Sequence, residues 1–154
     1  MTTKEYLNQA NYCERKIKLL KREIEKMRSL SVSLSVRYDN ERVQSSGEQD
    51  KMASTVARIV DRENILADLI NDYIEKKEIL ETQLSVMNNK FYADVLYGRC
   101  VAGLSFFDLS YQIGKKRRQT INIYNKALMA FESQFYDYYK DMEQDFEKYF
   151  QNEE

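Results

Sequence analysis

At 154 residues the chain has room for one domain, or for a compact unit with a helical arm, and excludes two large independent cores. With no Pro, four Gly and 32% charged residues it has the composition of long solvated helices, so an all-α fold is expected; with no His it lacks the usual general base, the commonest metal ligand and the ordinary pH switch. The net charge of −1 conceals a basic stretch, residues 90–131 with seven basic against two acidic groups, followed by an acidic one, residues 132–154 with two against eight, a division that points to an anionic ligand for the first.

The first segment places Tyr6, Ala10, Cys13, Ile17, Leu20, Ile24 and Met27 at alternating steps of four and three, a heptad seam on a helix of about 40 Å that another helix must cover. Beyond it, Leu30, Val32, Leu34 and Val36 alternate with Ser in a strand-like pattern, which we read as continued helix. Residues 39–50, polar and containing Gly47, read as a solvated or disordered connection.

A second heptad run follows in Met52, Val56, Ile59, Leu66, Ile70, Tyr73, Leu80, Leu84 and Met87, with Glu63 and Lys77 at seam positions where polar residues can set register. The two runs predict a long antiparallel hairpin, a coiled-coil arm over residues 1–89; the same seams could instead pair between chains. Asn88 and Asn89 break the run, and a new helix is expected from Lys90, with Phe91, Val95, Leu96, Cys100 and Val101 as its apolar set.

From Gly103 the chain reads GLSFFDLSYQIGKKRRQTINIYNKAL. Gly103 can end a helix in the left-handed region, and Ser105 with Asp108 forms a near capping box that opens a short helix with Leu109 and Ile113 facing inward. Gly114 supplies a tight turn, and a second helix near Lys116 is expected to bury Thr120, Ile123, Ala127 and Leu128. Left outside are Lys115, Lys116, Arg117, Arg118, Gln119, Ile121 and Asn122. Four consecutive cations at a helix start oppose the helix dipole, and neutralisation of DNA phosphates is a reason to bear that cost. Arg, Gln and Asn are also side chains suited to base edges in a major groove.

This pattern of Ser, acidic residue, aliphatic, small residue, aliphatic-Gly and terminal Ala127-Leu128 resembles the sigma-factor region-4-like helix-turn-helix. The opening TTKEYLNQA and the stretch VARIVDREN further resemble phage and prophage proteins that couple a helical hairpin to such a module, relatives of the RinA/ArpU-type regulators of phage late genes. The sequence departs from the pattern at Lys115-Lys116, where a Ser or Thr cap is usual, at Thr120 in place of a larger aliphatic, and at Ser110 in place of Ala. The resemblance implies a helix-turn-helix over residues 90–131 and a DNA-binding regulator of phage or prophage late transcription, a homodimer on double-stranded DNA in the cytoplasm of a bacterial host. Two other functions are weighed, a small terminase-like DNA-packaging subunit and a protein-interaction adaptor without DNA binding.

In residues 132–154, Phe135, Tyr139, Met142, Phe146 and Tyr149 recur at steps of four and three, an amphipathic tail helix with an acidic flank. The stripe either packs on the hairpin, or forms a dimer seam or a docking surface for a protein such as RNA polymerase. Cys13 and Cys100 are far apart without CxxC spacing and are expected as small buried apolar residues. No apolar run approaches the roughly 20 residues that span a bilayer, and the chain starts on polar, charged residues rather than a signal peptide. No cofactor, no metal and no enzymatic activity are expected.

Overall fold

Long stretches without Gly or Pro leave nothing to stop a helix, and the computed structural model is helical accordingly. It describes the backbone of residues 1–40 and 46–143 and the side chains of residues 1–33 and 50–143. Helices α1 (Thr3–Asn40), α2 (Ser46–Ser85) and α3 (Lys90–Leu96) lead into a π-helical turn (Tyr97–Val101), followed by α4 (Phe106–Ile113) and α5 (Arg117–Tyr139). Among the described residues there is no strand, and no helix is long and apolar enough to cross a membrane. The all-α class is the one read from the sequence.

α1 begins on a reciprocal capping box that the sequence reading overlooked. The Glu5 N–H donates to Thr2 Oγ1 at 3.3 Å, and the Thr2 N–H donates to Glu5 Oε2 at 2.8 Å. The Leu/Val–Ser alternation lies within α1, where Ser29 and Ser33 donate back to the carbonyls of Glu25 and Leu30. The connection expected at residues 39–50 is mostly helix: α1 runs to Asn40 and α2 starts at Ser46, with residues 41–45 outside the described residues. A polar composition there is compatible with helix.

The chain divides into two units, Met1–Cys13 with Asp72–Glu154, and Glu14–Asn71. In the second unit Ile17, Leu20 and Ile24 of α1 and Leu69 of α2 are buried, and the ion pairs Arg28–Glu63 and Arg62–Glu23 join the helices within the chain. Glu63 is thus a seam carboxylate with a cation across from it. The α2 seam departs from the expected one only in its earlier part, where Val56 is exposed and Leu69 is buried between half-buried Leu66 and Ile70, whereas Leu80, Leu84 and Met87 are buried as expected. A straight helix drifts against a strict seven-residue repeat, which moves the covered face along α2.

The first unit holds the main core, in which Leu7, Leu80, Met87, Val95, Leu96, Leu109, Phe131 and Tyr139 are almost wholly buried. Tyr6 donates its hydroxyl to Gln83 Oε1 at 2.9 Å, tying α1 to α2. Asn89 caps α3 by accepting from the Tyr92 N–H at 3.1 Å. The π turn opens a wider ring, with the Ala102 N–H donating to Tyr97 O at 2.9 Å, and it places Gly98 against α4. A Cβ at Gly98 would lie 3.0 Å from Leu109 Cδ1, a tighter contact than usual that Leu109 would have to relieve by a few tenths of an ångström. Both cysteines are buried and free, and burial pushes the Cys100 thiol up to about 11.

Candidate nucleic-acid interface

The short loop before α4 is fixed by local chemistry. Gly103 takes the left-handed conformation at φ 71°, and Ser105 accepts from the Asp108 N–H at 3.1 Å while donating to Asp108 Oδ2 at 2.9 Å. α4 ends at Gly114, also left-handed at φ 66° and ψ 32°. The Lys115 N–H folds back to Ser110 O at 3.0 Å and satisfies a last-turn carbonyl, a Schellman-type closure. Two residues later α5 begins, packing on both α3 and α4.

Lys116 is the N-cap of α5, with extended backbone. Its N–H donates to Gln119 Oε1 at 3.2 Å, but an ammonium has no lone pair to return, so no side chain caps the first free N–H groups of the helix. The missing Ser or Thr cap therefore leaves a positive helix end exposed beside four cations. Thr120, a second of the three departures from the helix-turn-helix pattern, is fully buried and satisfies its hydroxyl by donating to Lys116 O at 3.1 Å.

Lys115, Lys116, Arg117, Arg118, Gln119 and Asn122 are all exposed, and Ile121 is half-buried. Among the described residues, none of the four cations has an ion-pair partner. Two of the three other cations of this basic stretch are engaged elsewhere. Arg99 lies over the Phe106 ring at 4.4 Å and donates to Leu104 O at 2.8 Å, and Lys90 donates to Ser85 O. The unspent positive charge is thereby concentrated on the first half of α5.

The buried face of α5 differs from the expected one. Thr120 and Ala127 are buried as expected, but Tyr124 and Phe131 take the centre while Ile123 and Leu128 are half-buried against the core. The steps 120, 124, 127, 131 trace one face of an α-helix, and the Tyr124 ring meets Phe106 edge-on at 5.3 Å with its hydroxyl 3.9 Å from Cys100 Sγ. Opposite that face, at steps of four, three and four, stand Arg118, Asn122, Asn125 and Met129, all exposed. The sequence reading missed Asn125, Lys126 and Met129; counting outward from Arg118 at helical spacing finds them. It also missed Phe107 and Tyr111, which are 73% and 86% exposed on the side of α4 opposite Leu109.

α5 runs past residue 131 to Tyr139 without a break. The Tyr139 ring is fully buried, stacked on Tyr6 at 4.5 Å between centroids, and its hydroxyl lies 2.8 Å from Thr3 Oγ1. Phe135 packs on Phe131 at 4.8 Å, so this part of the aromatic stripe is core; Phe146 and Tyr149 lie outside the described residues. Among the described residues no group of three or more His, Cys, Asp or Glu is placed to hold a metal ion.

Family models, curated proteins and solved structures were compared with the chain, and none matches.

Proposed function

We propose that the chain is a sequence-specific, double-stranded-DNA-binding regulator of phage or prophage late transcription, acting as a homodimer in the bacterial cytoplasm, with α4 and α5 as its helix-turn-helix and α5 as the recognition helix. One observation carries the reading: four exposed cations, with no ion-pair partner among the described residues, sit at the uncapped positive end of a helix whose opposite face is anchored in the core. Phosphates are the ligand that such an end favours, and a major groove is the concavity that admits a helix. Two copies would set their recognition helices about 34 Å apart on successive turns of the duplex. A contact with RNA polymerase through the acidic tail has to use side chains other than Phe135 and Tyr139, which the core takes up.

Lys116→Ala with Arg117→Ala, two of the exposed cations, tests the reading by titration of duplex DNA from the source phage or prophage at several salt concentrations. Each phosphate contact contributes about 0.9 to the slope of log affinity against log salt, so losing two should lower the slope by roughly 1.8. Equal slopes for wild type and variant, or no retention of duplex by the wild type, refute it. A second reading, a protein-interaction adaptor, draws its support from the bare aromatic pair Phe107 and Tyr111.

A further inference from the structure

We infer that Asn122 and Asn125 read two neighbouring adenines, with Arg118 on a guanine to one side and Met129 against a thymine methyl on the other, so that the site recognised is a guanine-flanked, A/T-rich half-site. This deepens the function proposed above and rests on that reading.

The inference starts from what the outward face of α5 lacks. No Asp or Glu occurs from Lys115 to Phe131, in a chain with 25 acidic residues, and the first is Glu132. A solvated helix face ordinarily carries Glu and Lys together, both good helix formers. This one carries two Asn, poor helix formers, and a Met that is 69% exposed. None of the three has a partner within the chain among the described residues. The acid-free length complements a polyanion, and Glu132 marks where that complement ends.

The spacing then sets the register. Arg118 to Met129 is eleven residues, about 16 Å along the axis at 1.5 Å each, and so covers about five base pairs at 3.4 Å per step. Asn122 and Asn125 are about 4.5 Å apart along the axis, close to one base-pair step, whereas Arg118 and Met129 each stand about 6 Å beyond them, near two steps. The chemistry matches the groove. Arg binds guanine O6 and N7 with two donors, Asn binds adenine N6 and N7 with one acceptor and one donor, and an apolar side chain meets the C5 methyl of thymine. The inward residues Thr120, Tyr124, Ala127 and Phe131 fix the rotation of α5, so these four side chains share one outward face.

The test is selection from randomised duplexes with the full chain, followed by titration of the best duplex. Wild type should enrich a guanine followed, about two pairs on, by two adjacent adenines. Asn125→Ala, at an exposed position where the fold should survive, should lose the preference at one of those pairs alone, with affinity for the best duplex falling about 5- to 150-fold and the salt slope unchanged. Circular dichroism confirms that the variant is folded. Duplex binding in which Asn125→Ala keeps the wild-type base preference overturns this inference and leaves the proposed function standing. Failure of the wild type to bind any duplex removes both.

Discussion

Tyr139 is the residue through which the far end of α5 is held, and its replacement tests whether the acidic aromatic segment belongs to the core. The ring is fully buried, stacks on Tyr6 with an interplanar angle of 13°, and lies 6.1 Å from Phe131 between centroids. Truncation to Ala removes an aromatic side chain from a packed site, for which about 3–5 kcal/mol is usual. Tyr139→Phe keeps the ring and loses only the hydroxyl bond to Thr3, leaving a buried oxygen on Thr3 short of a partner at about 1–2 kcal/mol. The two variants therefore separate packing from hydrogen bonding. Denaturant unfolding followed by circular dichroism measures both, against a total stability of about 5–15 kcal/mol for a domain of this kind. The Ala variant should show a lowered midpoint, close to loss of fold under mild conditions. A loss below about 1 kcal/mol for Tyr139→Ala would show that residues beyond 131 are an appendage and that the packing described is wrong.

Gly114→Ala should cost about 1–2 kcal/mol, because φ is 66° there and no atom within 4 Å adds a steric cost; a neutral result in thermal unfolding would mean that the turn is not left-handed. Cys100 gives an alkaline prediction. Its thiol is raised to about 11, chiefly by burial, against an ordinary value of 9.0, so the unfolded chain loses the proton first as pH rises. The stability it contributes is complete below pH 9 and is lost toward pH 11, by about 1.4 kcal/mol per unit crossed. Cys100→Ala should therefore flatten the fall between pH 8 and pH 10 by about that amount, while Tyr6, pushed up to about 12 by burial, keeps its own decline above pH 10. An undiminished fall in the variant counts against the burial.

What could be read in advance was chemistry local to a few residues. The seam of α1 shows in the spacing alone, and Tyr6, Ala10, Cys13, Ile17, Leu20 and Ile24 are all buried. Ser105, Asp108, Gly103 and Gly114 each fix their own backbone, so the boundaries of α4 needed no tertiary knowledge. Tyr139 showed in the apolar stripe, but that it is core and not a docking surface was not legible, because its burial depends on Tyr6 and Thr3, more than 130 residues away in sequence. Tyr124 was passed over in favour of Ile123, since a phenol looks like a surface residue until Cys100 is seen beside its hydroxyl. Asn125 was missed for a different reason. A run of four cations draws attention to itself, and the uncharged residues a turn or two further along the same face do not.

The same residues that were hard to read determine what α5 can present. Moving one residue along a helix turns the side chain by about 100°, so a reading face exists only if something fixes rotation about the axis. Here Thr120, Tyr124, Ala127, Phe131 and Tyr139 fix it at five points along 23 residues, and the last is held by the first turns of α1. Those turns are themselves closed by the Thr2 and Glu5 box, which places the chain's N-terminal residues in the support of its proposed recognition helix. A rigid mount of this kind lowers the ordering cost of binding, and it makes the outward set a consequence of the inward one. Phe131, which faces no ligand in the proposed reading, is then as important to the face that Asn122 and Asn125 present as the asparagines themselves.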